Sequence, residues 1–237
     1  MKITIVSGSR ADWGLLEWPI KTLQEDSYFE GQILKIWGQS VDQAFLSASR
    51  SFATERPDVV LLLGDRYEIL AAATAAHLLR VPIAHIGGGD VTEGSYDDAM
   101  RDCISRMASI HFVTSTSAMA RLSHMGLRNV HLVGNPGIDY IRHADWRGPR
   151  PYIEPYVVVS YQPETLDGVN HIEEIIATLP AGKFPLFILP NPDRGSAEIT
   201  ERIRSYQLEA HMACGITECM PHAEFLNTLL HCDEFIG

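Results

Sequence analysis

Asp65, Arg66 and Glu68 crowd the end of an aliphatic run in L-G-D-R-Y-E, and two carboxylates beside a cation are the residue types general acid/base chemistry uses. A simpler use competes with it. Asp65 would cap a helix continuing through Ile69 to Ala73, with Glu68 favourable in its first turn, and alone the segment favours that use. A second group stands in H-I-G-G-G-D-V-T-E-G-S-Y-D-D, where His85, Asp90, Glu93, Asp97 and Asp98 surround three consecutive glycines. Such a run costs chain entropy and makes sense where backbone turns sharply or presses on a ligand, so His85 and Asp90 are read as site residues. The charges that follow, Asp97, Asp98, Arg101, Asp102 and Arg106, fit a solvated helix face opposite Ala99, Cys103, Ile104 and Met107, with an Asp97–Arg101 pair.

An anion could be held at S-G-S-R-A-D-W-G. Gly8 permits close backbone approach, Arg10 offers a planar cation and Asp12 can cap a helix from Trp13 to about Glu25. The spacing is neither a dinucleotide fingerprint nor a P-loop, and a tight turn with a surface arginine explains it equally well. G-N-P-G-I-D, with Asn135, could direct backbone N–H groups into a cleft. Later turns, S-Y-Q-P-E-T with Gln162 and L-P-N-P-D-R-G-S with Asn191, Asp193 and Ser196, hold the same place after apolar runs, and a helix beginning near Ala197 could receive an anion. His77, His111 and His131 lie in or beside apolar elements and read as core or edge residues.

These turns need strands before them and helices after them. Apolar runs of four to six residues recur, each followed by a stretch with helical spacing, which is the α/β pattern. The expected strands are Lys2–Ser7, Gln32–Trp37, Asp58–Leu63, Pro82–Ile86, Ile110–Val113, Val130–Val133, Tyr156–Tyr161, Pro185–Leu189, Leu208–Ala213 and Glu234–Gly237. The early runs are apolar on both faces, as in parallel sheets covered on each side, and such sheets bind ligands at the strands' carboxyl ends. Gly148, Pro149, Pro151 and Pro155 interrupt the pattern, so a first domain over residues 1–145, a linker over 146–155 and a shorter second domain over 156–237 are expected.

The chain has 237 residues, 46% of them hydrophobic, and carries a formal charge of -11. That balance suits a soluble globular protein with a real core and opposes a nucleic-acid binder, which needs a basic stripe. The longest purely aliphatic run, Val59–Leu63, is too short to span a bilayer, and Ile3–Val6 lacks the length and cleavage pattern of a secretion signal, so a cytoplasmic protein without membrane contact is expected. Cys103, Cys214, Cys219 and Cys232 fit no zinc spacing and read as reduced packing residues. An unfinished edge of the second sheet would be covered by a homo-oligomer.

Taken in order, S-R-A-D-W-G-L-L, R-P-D-V-V-L-L-L-G-D-R-Y-E, P-I-A-H-I-G-G-G-D-V-T-E-G, H-F-V-T-S-T, V-G-N-P-G-I-D and P-N-P-D-R-G-S-A-E-I resemble the UDP-N-acetylglucosamine 2-epimerase family, nearest its hydrolysing branch. The resemblance runs from Ser9 to about Gly237. It implies a glycosyltransferase-B-like fold of two Rossmann-like domains with parallel sheets, the second incomplete, and elimination of UDP across C1 and C2 of the sugar. Hydration of the glycal to N-acetylmannosamine would follow, in a sialic-acid-type or surface-polysaccharide pathway, with no metal and no redox cofactor.

By the same resemblance Arg10 becomes a phosphate contact and Asp65 and Asp90 acid/base groups, while Glu68 and His85 complete the catalytic set as supporting or positioning residues. Gly8, Gly88, Arg101, Asn135, Gln162, Asn191, Asp193 and Ser196 would contact UDP-N-acetylglucosamine or a related nucleotide-sugar. Three positions depart from the family: histidines are replaced by Gly87, Asp102 and Gln162. The stretch from Trp37 to Arg56 is shorter than in the family, and members continue beyond the position of Gly237 into an asparagine–serine–serine turn and a helix. A family scaffold that binds nucleotide-sugar without turnover, or serves a fuller partner, is therefore the competing reading, with a glycosyltransferase ranked behind it.

Overall fold

In the computed structural model the described residues are 1–164, 168–191, 193–209 and 214–237. They form two compact units, Met1–Ala144 and Asp145–Gly237. The first alternates strand and helix: β1 (Lys2–Ser7), α1 (Arg10–Glu25), β2 (Glu30–Lys35), α2 (Val41–Glu55), β3 (Val59–Leu63), α3 (Tyr67–Leu78), β4 (Ile83–Ile86), α4 (Asp97–Met107), β5 (Ile110–Val113), α5 (Thr116–His124), β6 (Val130–Leu132) and α6 (Pro136–His143). All its strand pairings are parallel, in the order β2-β1-β3-β4-β5-β6.

Side chains two apart share a face of a strand. Val60 and Leu62 join Val6, Phe52, Ile69, Ala72 and Ile104 in one core, whereas Leu61 and Leu63 join Ile5, Leu16, Ile20 and Ile86 in the other. Both faces are covered, which is why these runs read as continuously apolar. The chain leaves β1 toward β2 on one side and returns to β3 on the other, so a crevice is expected at the carboxyl ends of β1 and β3. The turns after those strands are Gly8–Ser9 and Gly64–Arg66.

The second unit contains β7 (Tyr156–Val159), α7 (Ile172–Ala177), β8 (Phe184–Ile188), α8 (Ser196–Glu209), β9 (Gly215–Thr217), α9 (His222–His231) and β10 (Glu234–Ile236), with parallel strands ordered β10-β7-β8-β9. The strand expected over Leu208–Ala213 is corrected. Leu208 and Glu209 finish α8, Ala210 to Ala213 lie outside the described residues, and β9 follows. Ile199 and Ile203, one helical turn apart, are buried, and that periodic anchor carries the helix through the polar residues to an exposed Leu208.

Two more expectations change. Helix α1 starts at Arg10, not Trp13, because Ser9 rather than Asp12 is its N-cap. Helix α4 buries Arg101, Ile104 and Ser105 and exposes Cys103, so its inner face is turned by one residue from the apolar pattern. Two polar side chains are thereby drawn inward, and both find partners there. Cys103 and Cys219 are exposed, against the expectation of packing cysteines. No helix among the described residues is long and apolar enough to cross a membrane.

Candidate active site

Ser9 accepts a 3.1 Å hydrogen bond from the Asp12 backbone N–H, and Asp12 Oδ2 accepts one of 3.1 Å from Gly8 N–H. The turn is thus closed by its own side chains, satisfying N–H groups that a helix start leaves open. Trp37 Nε1 donates to Ser7 Oγ at 2.8 Å, and Ser7 Oγ donates to the Ser9 carbonyl at 3.0 Å, tying the turn to the segment after β2. Burial raises the Asp12 carboxyl to about 6 against the lowering pull of Ser9 and Arg66. Arg10 is exposed and can meet an anion from solvent. From its sequence position Asp12 reads only as a cap, and its burial, the feature that makes it titratable near neutrality, is not visible there.

After β3, Asp65 does not cap α3. Its carboxylate pairs with Arg101 of α4, a side chain 7% exposed that also donates to Thr92 Oγ1 at 3.1 Å and lies 3.2 Å from Asp98. Arg101 Nε is buried without a hydrogen-bond partner among the described residues. Helical spacing puts Arg101 on a solvated face, and the geometry brings it into the site instead. Glu68 is 1% exposed and is bridged by Arg66 through Nε at 3.2 Å and Nη2 at 3.4 Å, a forked pair that fixes the first turn of α3.

The three glycines have separate reasons. A Cβ at Gly87 (φ +81°) would stand 3.7 Å from Asp90 Oδ2 and 4.0 Å from Gly64 N, so this position lies open between the Asp90 loop and the β3 turn. At Gly88 a Cβ would come within 2.7 Å of Ser105 Oγ and 3.0 Å of His85 Nδ1, and at Gly89 within 2.5 Å of the Ala118 carbonyl. Asp90 accepts from Thr114 Oγ1 at 2.6 Å, while Arg121 donates to the Gly89 carbonyl. His85 is fully buried, with Nε2 2.8 Å from the Gly64 carbonyl and Nδ1 3.0 Å from Ser105 Oγ. Burial, with smaller contributions from His111 and Arg101, lowers its pKa to about 4 against the raising pull of the Gly64 carbonyl.

Asp65, Asp90, Arg101, Glu68 and His85 are therefore gathered at the carboxyl ends of β3 and β4, with Gly8 and Arg10 after the adjoining β1. Asn135 caps α6 by accepting from Gly137 N–H at 2.9 Å. His111 is buried in β5, His131 is exposed on β6 and His77 is exposed on α3.

Within the second unit, Gln162 Oε1 accepts from Asn191 N–H at 3.0 Å, joining the turns after β7 and β8. Asp193 accepts through its carbonyl from Ser196 N–H at 3.1 Å, where α8 begins. Thr165 and Pro192, within the two expected turns, lie outside the described residues. No group of three or more His, Cys, Asp or Glu side chains among the described residues is placed to hold a metal ion.

The sequence profile described as UDP-N-acetylglucosamine 2-epimerase matches residues 30–237. The chain is 28% identical, in an alignment of 287 positions spanning all of it and 75% of the relative, to the hydrolysing UDP-N,N'-diacetylbacillosamine 2-epimerase of Legionella pneumophila. It is 26% identical over 265 positions, 90% of this chain and 69% of the relative, to the hydrolysing GDP/UDP-N,N'-diacetylbacillosamine 2-epimerase of Campylobacter jejuni. The structure of the Neisseria meningitidis UDP-GlcNAc 2-epimerase bound to UDP-GlcNAc superposes with a TM-score of 0.77 at 14% identity, covering 99% of this chain and 77% of that one. The α/β fold with parallel sheets is accordingly of the glycosyltransferase-B-like kind.

Proposed function

Because the chain belongs to the UDP-N-acetylglucosamine 2-epimerase family, we propose that it is a hydrolysing 2-epimerase acting on UDP-N-acetylglucosamine or a closely related UDP-2-acetamido sugar. The hydrolysing relatives of Legionella and Campylobacter support the branch. The observation that carries the reading is the Asp65–Arg101 pair at the end of β3, with Asp90 facing the same turn across Gly87.

The reaction makes three physical demands. A carboxylate must take the C2 proton, a cation must offset charge on the departing diphosphate, and water must reach the glycal only after UDP has left. Asp65 and Asp90 are the assigned acid/base pair, and Arg10 and Arg101 the assigned diphosphate cations. Arg101 supports that assignment by its charge, held beside Asp65 at the end of β3. Loss of the C2 proton and of UDP yields a 1,2-glycal. Addition of water then places hydroxyl on C1 and a proton on the opposite face of C2, giving free N-acetylmannosamine and UDP. Gly8, Gly88, Asn135, Gln162, Asn191, Asp193 and Ser196 are assigned to substrate contact, and a sialic-acid-type or surface-polysaccharide pathway would use the product.

A proton NMR time course with UDP-N-acetylglucosamine in deuterium oxide tests this. UDP release with free N-acetylmannosamine deuterated at C2 is the expected result. Retained nucleotide with exchange at C2 would place the chain in the non-hydrolysing branch. A second reading, a binding scaffold without turnover, is favoured by Gly87, Asp102 and Gln162 where the family resemblance expects histidines. Saturable ligand binding by folded protein with no chemical change would select it.

A further inference from the structure

We propose that His85 and Ser105 are positioning residues that set the Asp65 carboxylate by holding the Gly64 carbonyl, and that His85 does this as the neutral Nε2–H tautomer. The proposal rests on the assignment of Asp65 to proton transfer, and its tests are separable from that assignment.

The tautomer follows from the partners. A carbonyl oxygen can only accept, so the 2.8 Å contact of Nε2 with Gly64 O requires hydrogen on Nε2. In the neutral ring Nδ1 is then a lone pair and accepts the Ser105 hydroxyl at 3.0 Å. Both His85 and Ser105 are 0% exposed, so no water competes. Burial disfavours the cation and outweighs the Gly64 carbonyl, which favours it, while the His111 and Arg101 charges oppose the cation further. A ring in this state does not carry protons at neutral pH. It is a strut.

What the strut holds is one peptide plane. The Gly64 C=O and the Asp65 N–H belong to the same planar unit, so fixing that oxygen fixes the start of Asp65. Gly64 has φ +82° and no neighbouring atom within 4 Å of a would-be Cβ, leaving its torsions little restrained by sterics. The Gly64 N–H is tied to the Ile86 carbonyl at 3.0 Å, and the histidine bond restrains the other end. The side chain of Asp65 is held separately by Arg101. Arg101 and Ser105 are four residues apart and therefore share one face of α4. A single helix face thus supports Asp65 through its backbone and through its carboxylate. Glycine at position 88 leaves room for the pair, because a Cβ there would strike both Ser105 Oγ and His85 Nδ1.

Histidine-selective 15N NMR on the full chain gives the first test. His85 is expected as the Nε2–H tautomer without titration between pH 5.5 and 8.5, and titration in that range overturns the proposal. Selective 13C labelling of aspartate gives the second, independent of turnover. In His85→Leu the Asp65 carboxyl 13C resonance at neutral pH should shift as the Arg101 pair loosens. In His85→Gln, whose amide can donate where Nε2 did, it should return toward wild type. An Asp65 carboxyl resonance equal in all three proteins overturns the positioning role even if the chain is an active epimerase. Should His85→Leu not fold, Ser105→Ala supplies the comparison: the Nε2–H tautomer held by the Gly64 carbonyl should persist, with the His85 Nδ1 resonance and the Asp65 carboxyl resonance both displaced. With turnover established, kcat should fall about tenfold in His85→Leu and recover in His85→Gln, with KM little changed. Loss of a limb of the pH–rate profile in both variants would instead make His85 a proton carrier and overturn the proposal.

Discussion

Arg101 and Asp65 form an ion pair that joins α4 to the end of β3, and the arginine is its more buried partner, at 7% side-chain exposure against 19%. The asymmetry makes the two halves unequal. Asp65→Ala leaves a buried guanidinium with Asp98 at 3.2 Å as its remaining acidic neighbour and should cost about 3 kcal/mol in urea denaturation. Arg101→Ala leaves a carboxylate that water can reach and should cost less, while Asp65→Asn, which keeps an acceptor for Arg101, should cost least. Equal losses for the two alanine variants would mean that the pair is effectively solvated.

Gly87 and Gly89 share a left-handed backbone but differ in their surroundings. Alanine at Gly87, φ +81°, meets nothing closer than 3.7 Å and should cost about 1 kcal/mol of backbone strain. Alanine at Gly89, φ +80°, meets the Ala118 carbonyl at 2.5 Å and Leu122 at 3.0 Å, adding overpacking of about 1–3 kcal/mol. Paired thermal melts read the difference, and equal Tm values would refute the packing account.

Strands β1, β3, β4 and β5 are legible because burial on both faces leaves mainly apolar residues to write them, and a parallel order makes the following turns the place to look for a site. Arg101 and Ser105 are not legible as inner residues. Helical spacing scores hydrophobicity, and here the inward face of α4 carries two polar residues beside Ile104 because Asp65 and His85 await them from β3 and β4, partners 36 and 20 residues away in sequence. Spacing of i, i+4 between Arg101 and Ser105 is the available signal, but it has no meaning until the partners are placed. Ser9 and Asp12 both suit a helix cap, and only the hydrogen bond from Asp12 N–H to Ser9 Oγ decides between them. Leu208 misleads in the opposite sense, since an apolar residue at a helix end looks like the start of a strand.

The α1 cap permits a separation of stability from binding. Ser9→Ala removes the acceptor of the Asp12 N–H and should cost about 1 kcal/mol. Ser9→Asp restores a good cap and favours the helix dipole, yet sets a negative charge in the turn assigned to the diphosphate. Its Tm should match wild type while its KM for the nucleotide-sugar rises. Unchanged KM would move the diphosphate away from this turn.

Asp12 and His85 impose opposite pH dependences on stability. Asp12, raised to about 6, binds its proton more tightly folded than unfolded, so its contribution is largest at low pH and is lost as pH rises toward 6. Relative to Asp12→Asn, which stays neutral, the wild type should lose about 2 kcal/mol between about pH 4.5 and 7.5 from this group. His85, lowered to about 4, is bound neutral, so its contribution is present above the unfolded value near 6.5 and is lost as pH falls toward 4. Relative to His85→Gln, the wild type should lose about 2.5 kcal/mol on acidification from about pH 7.5 to 4.5. The two contributions nearly cancel across that window, which hides both in the wild-type profile. Urea denaturation at the two pH values should therefore show Asp12→Asn markedly more acid-labile than wild type and His85→Gln more acid-resistant. Parallel profiles for Asp12→Asn and wild type would show that Asp12 is ionised in the folded chain throughout, and that its carboxyl is better solvated than its burial implies.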